Sequence, residues 1–182
     1  TEDIIDAIKK INARHIYVLP NNGNIIMAAN QAAEVTEDKE IIVLPTKSVP
    51  EGLSACINFN PDEDVDTNTS AMSDAISHVK TGSITYAVKD TTVDGRETHS
   101  GDFMSIVGKN IVYTSRDKVD ATKQLITSMC DDDSEIITLI KGSEATDEEC
   151  KEVQKFIEDN FEIDVDMQDG GQPVYSFIIG VE

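Results

Sequence analysis

The chain is 182 residues long and carries 35 acidic against 15 basic residues, a formal net charge of −20. That length can bury a real core, as one domain or as two small lobes. A field of this sign repels nucleic-acid backbones and anionic membranes, which makes both poor partners; an acidic surface otherwise serves solubility.

Thr1 either caps a first helix, ahead of Glu2 and Asp3, or stands where a longer polypeptide was cut. Ile4, Ile5, Ile8 and Ile11 fall at helical spacing and predict an amphipathic first helix. An apolar run, Ile16–Leu19, predicts a buried strand that stops at Pro20. A polar Asn21–Asn24 loop follows, and a helix begins at once with Ile25, Ile26, Ala28, Ala29, Ala32 and Ala33. Such a small-residue face lets a helix lie close to a sheet. The same grammar then repeats: strand Ile41–Leu44, loop Thr46–Ser48, helix Pro50–Phe59. Strand, loop and helix given twice are the sequence form of parallel strands joined by crossover helices. In open sheets of that kind ligands and partners meet the loops at the carboxyl ends of the strands.

Asn60–Ser70 is acidic, turn-rich and aperiodic, and is read as a solvated loop. It lacks the glycine and the closing glutamate of a calcium loop. Met72, Ile76 and Val79 mark a helix ending near Lys80, with Gly82 as its C-terminal signal. From Ser83 to Ser115 the pattern changes to ribbons, with turns at Asp94-Gly95, Ser100-Gly101 and Gly108-Lys109-Asn110. Helix Lys118–Met129, strand Glu135–Ile140, helix Ala145–Asn160 started by Thr146, strand Glu162–Met167, the turn Asp169-Gly170-Gly171 and a last strand Val174–Val181 complete the chain. The change near Ser83 divides an α/β lobe over residues 1–82, with parallel β-α-β units, from a lobe over 83–182 with a mixed sheet and a β-ribbon.

Three cysteines, Cys56, Cys130 and Cys150, are an odd and widely spaced set that makes neither a zinc pattern nor a disulfide framework. Cys56 and Cys150 fall on predicted helices and are read as core thiols. With no signal peptide and no apolar run of about 18 residues, a soluble, cytoplasmic protein without stable membrane insertion is expected. The sequon Asn68-Thr69-Ser70 is discounted on the same ground.

The chemistry is sparse. PNNGN holds one glycine and neither phosphate-cradle pattern. Two readings of Asn21, Asn22, Gly23 and Asn24 stand side by side: amides that hold a polar group or anion at a helix N-terminus, or a turn in which Asn24 caps the helix. Thr46, Lys47 and Ser48 divide in the same way between an anion contact and a cap by Ser48, with Pro50 in the first turn. His15, His78 and His99 sit beside no nucleophile, no GxSxG elbow occurs, and the spacing of the histidines supports no metal site. Asp131–Glu135 is read as a solvated connection rather than a magnesium site.

Four separated blocks, VLPNNGNIIMAANQAAE, IIVLPTKSVPEGLSA, ISHVKTGSITYAVKDTTVDG and GGQPVYSFIIGVE, closely resemble the C-terminal region of the A subunit of bacterial fatty acid kinase, of the dihydroxyacetone-kinase-like family. The resemblance covers nearly the whole chain. It implies an α/β, two-lobed fold of the DegV-like and dihydroxyacetone-kinase-like type. It also implies a longer polypeptide whose N-terminal domain carries ATP, magnesium and the catalytic carboxylates, so no catalytic residue, metal ligand or cofactor is carried over here. The DegV-like B subunits of that kinase carry the fatty acid. They bind its carboxylate with a serine in the loop corresponding to Asn21–Asn24 and with a histidine near the stretch corresponding to Gly170, Gly171, Gln172 and Pro173; this chain has neither.

The resemblance therefore implies a non-catalytic module that helps the kinase assemble and engage the fatty-acid-carrying B subunit, in contact with other domains of its own polypeptide and with a homodimer as a further state. The contact loops expected are Asn21–Asn24 and Thr46–Ser48, with Gly170–Gln172 approaching them between the lobes. The alternative is a lipid- or anion-sensing domain that uses an interlobe cleft, and an independent enzyme ranks last.

Overall fold

The computed structural model describes residues 1–93 and 95–182, which form two compact units, Thr1–Val79 and Lys80–Glu182. No helix among the described residues is long and apolar enough to cross a membrane.

In the first unit the order is α1 (Glu2–Lys10), β1 (His15–Val18), α2 (Ile26–Glu34), β2 (Glu40–Val43), α3 (Val49–Ile57) and α4 (Val65–His78). Strands β1 and β2 pair in parallel, with Ile16 opposite Ile41 and Val18 opposite Val43, as the repeated grammar predicts. Both faces of this sheet are covered, which is why each strand is a continuous apolar run rather than an alternating one. Ile16, Val18 and Ile41 pack against Ile4, Ile5, Ile8 and Ala32 on one side. Tyr17, Leu19, Ile42 and Leu44 meet Ala55, Met72 and Ile76 on the other. Ala29 and Ala32 are fully buried, so the small-residue face of α2 does bring that helix close. The Tyr17 hydroxyl donates to the Val65 carbonyl at 2.9 Å and ties β1 to the start of α4.

Three expectations are corrected in this unit. Ile11 lies just past α1 and is exposed; it belongs to no helical stripe. Asn60–Ser70 is only half a loop, because α4 begins at Val65. Asp64 accepts from the Thr67 amide at 2.7 Å as the helix cap. The buried Asn68 accepts from Asn60 N at 2.8 Å and donates to the carbonyls of Asn60 and Glu63, sealing the loop onto the helix. Residues that read as turn formers act here as caps. Cys56 is exposed on α3 rather than buried, while Cys150 is a buried thiol.

The second unit begins one residue after Val79, with β3 (Lys80–Tyr86). Gly82 is therefore inside a strand and ends no helix. A Cβ at Gly82 would lie 2.6 Å from the sulfur of Met129, so the glycine admits the helix that follows. The order continues β4 (Thr91–Val93), β5 (Arg96–Thr98), β6 (Phe103–Val107), β7 (Asn110–Ser115), α5 (Lys118–Met129), β8 (Ile136–Lys141), α6 (Asp147–Asn160), β9 (Asp164–Asp169) and β10 (Phe177–Val181). The main sheet runs β7-β6-β3-β10-β8-β9, with only the β8–β9 pair parallel, across α6; β4 and β5 form a separate ribbon. Of the turn expected at Asp94-Gly95, Asp94 lies outside the described residues. The core joins Ile84, Ile137, Leu139, Phe177 and Ile179 of the sheet to Leu125 and Ile126 of α5 and to Val153 and Ile157 of α6. Thr146 and Glu149 close a reciprocal capping box at the start of α6.

The last strand is shorter than its apolar pattern. Val174 has φ 70°, a conformation closed to strands and costly for a β-branched residue, so β10 starts only at Phe177.

Candidate functional site

The loops that follow β1 and β2 are built as one corner. After Pro20 the chain must reverse, and Asn21 does so with φ 55°, in the left-handed region that asparagine tolerates. Its backbone N–H donates to Oγ1 of Thr46 at 2.9 Å. Thr46 is fully buried, so the second loop holds the first from beneath. The Asn21 side chain lies over Gly52 of α3, where an added Cβ would fall 2.1 Å from Oδ1 and 2.7 Å from Cγ. That Oδ1 is buried and has no hydrogen-bond partner among the described residues.

Asn24 does not cap α2. The Asn22 side chain instead accepts from the Asn24 amide at 2.9 Å, closing a short turn, and α2 begins behind Ile25 with no side-chain cap. Asn22, Gly23 and Asn24 are exposed at the tip, and a Cβ at Gly23 would meet nothing within 4 Å. Ser48 does cap its helix, accepting from Glu51 N at 3.3 Å, with Pro50 in the first turn. The Glu51 carboxylate in turn accepts from the Lys47 amide. The Lys47 residue itself is exposed.

Gly170, Gly171 and Gln172 belong to the second unit, in the β9–β10 connection. The amides of Gly170 and Gly171 both donate to the Lys141 carbonyl at 3.0 Å, and Gly171 takes φ 59°. Gln172 turns inward: Nε2 donates to the carbonyls of Ile140 (3.2 Å) and Tyr175 (3.3 Å), while Oε1 is buried and has no partner among the described residues. A Cβ at Gly170 would sit 2.1 Å from that oxygen. The Gln172 carbonyl accepts from Ser143 N at 2.9 Å, and the Val174 carbonyl accepts from Thr85 Oγ1 at 3.0 Å. Ser176 is fully buried, its Oγ likewise unpartnered among the described residues. Beneath this connection Lys141 pairs with Asp147 at 2.7 Å. Hydrogen bonding to that ammonium holds the Asp147 carboxyl below the ordinary carboxylate range, and the same bond raises Lys141.

The structure thus joins Asn21 to Thr46 directly and leaves Asn22–Asn24 and Lys47 outward beside them. It places Gly170–Gln172 in a separately pinned connection of the other unit. Gly52 and Val174 are the residues that sequence reasoning missed. Nothing local marks Gly52 except that it stands mid-helix, where glycine is unfavourable; that misfit was the available signal. Chemically the corner offers amides, a hydroxyl and an exposed lysine. Among the described residues no group of three or more His, Cys, Asp or Glu is placed to hold a metal ion.

The family model for the C-terminal region of proteins like the A subunit of fatty acid kinase matches residues 1–182. The chain belongs to that family. The resemblance carried by the four sequence blocks therefore extends over its full length. The chain is similar to protein YloV of Bacillus subtilis, 44% identical over 183 aligned residues, covering 100% of this chain and 33% of that protein. An uncharacterized protein of Staphylococcus aureus is 38% identical, again covering 100% of this chain and 33% of its own length. The chain spans about a third of the length of the curated relatives it matches.

Among solved structures, this family member is similar in fold to a hypothetical protein from Thermotoga maritima described as revealing fatty acid binding function, with TM-score 0.73, 14% identity and coverage of 100% and 74% of the two chains. A DegV family protein from Thermus thermophilus, described for its fatty acid binding, gives TM-score 0.67 at 10% identity, covering 100% and 76%. Dihydroxyacetone kinase of C. freundii gives 0.65 at 9%, covering 99% of this chain and 40% of that one. The DegV-like and dihydroxyacetone-kinase-like fold expected from the sequence is the one observed; at these identities the likeness concerns the fold alone.

Proposed function

We propose that this chain is a non-catalytic C-terminal module of the A subunit of a fatty acid kinase, which helps the kinase assemble and engage the DegV-like carrier holding the fatty acid. In this reading ATP and magnesium are bound by the remainder of the longer polypeptide, which passes the γ-phosphoryl group to the carboxylate of the carried fatty acid. The observation that carries it is the whole-chain family match. The site chemistry supports it: the side chains of Asn22, Thr46, Ser48 and Glu51 accept from backbone amides at the corner, in the manner of a shaped surface rather than of reacting groups. A nucleophile needs an adjacent base, and phosphoryl transfer needs metal-holding carboxylates; neither motivates the reading of these loops.

The direct test compares the longer kinase polypeptide with a version lacking this region, each incubated with ATP, magnesium and a fatty-acid-loaded carrier. Loss of carrier binding and of acyl phosphate formation is expected. Normal binding and phosphorylation by the shortened protein would refute the reading.

A small-molecule site at the corner of the loops after β1 and β2 is the second reading, favoured by the unpartnered oxygen of Asn21. An orphaned carbonyl oxygen accepts a hydrogen bond and does not donate one, so as built it suits a hydroxyl or amine better than a carboxylate. Thermal-shift measurements with a fatty acid, an acyl phosphate and a nucleotide test it, and no shift with any of the three would eliminate it.

A further inference from the structure

The tip of the loop after β1 carries a peptide bond with a chemistry of its own. Asn22 precedes Gly23, and no other asparagine in the chain precedes a glycine. The carboxamide carbon of an asparagine is open to attack by the backbone nitrogen of the next residue, and the turn is built in a way that favours this attack. Both residues are exposed, so water and hydroxide reach the bond. Gly23 has no side chain to crowd the succinimide ring that forms, and even an added Cβ would meet nothing within 4 Å. Oδ1 of Asn22 accepts from the Asn24 amide at 2.9 Å, which leans the carboxamide along the chain over the Asn22–Gly23 peptide. That N–H also faces the oxygen on which negative charge develops during attack, as an oxyanion donor does. Among the described residues the N–H of Gly23, the attacking group, donates to no acceptor. Asp169-Gly170 is built the opposite way, because the Gly170 amide is committed to the Lys141 carbonyl at 3.0 Å. In the remaining pair of this kind, Asp94-Gly95, Asp94 lies outside the described residues.

We propose that Asn22 is a site of spontaneous covalent modification, by deamidation and isomerisation through a succinimide. The Gly23 nitrogen gives up its proton to hydroxide and bonds to Cγ of Asn22. The Cγ–Nδ2 bond then breaks, and Nδ2 takes up a proton and leaves as ammonia. Water opens the ring in either of two ways, with no oxidant or reductant involved. Hydrolysis of the new bond returns an ordinary chain with aspartate at position 22. Hydrolysis of the original peptide bond leaves an isoaspartyl link that runs through Cβ and Cγ. Either product adds a negative charge to a chain already at −20. The isoaspartyl form also takes the Asn22 carbonyl out of the main chain, and that carbonyl accepts from Ile25 N at 3.0 Å to close the turn into α2. The corner therefore changes with the age of the protein, whether or not the chain engages a carrier.

The test incubates the 182-residue chain, folded and unfolded in guanidinium chloride, at mildly alkaline pH. Peptide mapping by mass spectrometry follows each asparagine, and methyl transfer from S-adenosylmethionine by a protein isoaspartyl methyltransferase reports the isoaspartyl form. Asn22 is expected to convert faster than any other asparagine, and at least as fast in the folded chain as in the unfolded one. Gly23→Ala places its methyl group in open space, so its thermal melting is expected to be unchanged while conversion slows severalfold and most of the methylation is lost. Asp169 is expected to stay unmethylated in the folded chain and to become methylated only on unfolding, because its neighbouring amide is then released from Lys141. Conversion of Asn22 that is much slower in the folded chain than in the unfolded one would show that the turn protects the bond, and would overturn the proposal. A faster reaction at another asparagine, methylation of folded Asp169 equal to that of Asn22, or methylation unaffected by Gly23→Ala would overturn it as well.

Discussion

Asn21 and Gly52 share one space: the Asn21 side chain occupies the volume that any Cβ at position 52 would need, 2.1 Å from Oδ1. The loop after β1 is therefore shaped by a glycine in α3, 31 residues further along the chain. A helix interior ordinarily prefers alanine over glycine by about 0.5–1 kcal/mol. Here the Asn21 amide stands in that space and must swing aside to admit a Cβ. Gly52→Ala is expected to destabilise the chain by about 1–3 kcal/mol through overpacking. Adding Asn21→Gly, which keeps the left-handed backbone and removes the obstructing side chain, restores the ordinary preference, so Gly52→Ala becomes neutral or stabilising in that background. Urea denaturation of the four members of the cycle measures the coupling; additive effects would show that the two residues do not compete.

Val174 carries backbone strain on the surface. Its φ of 70° is disfavoured for a β-branched residue, and its side chain is 49% exposed, so little packing is lost on truncation. Val174→Gly relieves about 1–3 kcal/mol of strain against about 0.5–1 kcal/mol of added unfolded-state entropy. A net gain of about 1 kcal/mol is expected by denaturation, whereas Val174→Pro, whose ring demands a negative φ, is expected to be clearly destabilising.

The Lys141–Asp147 pair gives a pH signature. The folded Asp147 carboxyl lies below its ordinary value because Lys141 donates to it. A depressed carboxyl contributes stability that is present above the unfolded pKa and is lost as pH falls through the folded one. Asp147 should therefore titrate below the ordinary carboxylate range by carbon-detected NMR. Asp147→Asn should therefore lower stability most at neutral pH and above, converge with wild type as pH falls through the folded Asp147 value, and so flatten the dependence of stability on pH across the acid range. Titration of Asp147 at the ordinary carboxylate value would remove the basis for this expectation.

The three thiols should separate kinetically. Cys56 is exposed, whereas Cys150 is buried and its thiol is raised chiefly by burial, as is that of Cys130. With a disulfide reagent at mildly alkaline pH Cys56 is expected to react fastest, the half-buried Cys130 more slowly and the buried Cys150 slowest, limited by opening of the second unit, and Cys56→Ser should abolish the fastest phase. A fast phase that survives Cys56→Ser would contradict the burial described.

Much of the fold was legible because periodicity and capping are local. The Lys118–Met129 helix has the same bounds in sequence and structure, and the Thr146 signal became a complete capping box. The parallel β1–β2 pair follows from two apolar runs separated by a helix of small residues. What failed did so for stated physical reasons. Asp64 and Asn68 resemble loop residues but act as a cap and as a satisfied buried amide, so the start of α4 was hidden in an acidic run. Gly82 resembles a helix stop, yet its missing Cβ makes room for Met129 of α5. Cys56, apolar by pattern and helical by position, faces outward because α3 presents its small residues, not its large ones, to the sheet.

The candidate corner shows the same division. Pro20 with its run of asparagines marks the end of a strand and a polar loop, and Ser48 with Pro50 marks a helix start; these are statements about neighbours in the chain. The Asn21–Thr46 hydrogen bond, the fit of Asn21 over Gly52 and the exposure of Val49, Leu53 and Ile57 are not. Sequence alone determined the two-part α/β architecture, the family and the place of the loops, since propensity and hydrophobic period act over a few residues. Which loop side chains are buried and which apolar residues remain in solvent was decided only by tertiary packing, because steric exclusion acts between atoms brought together from distant parts of the chain.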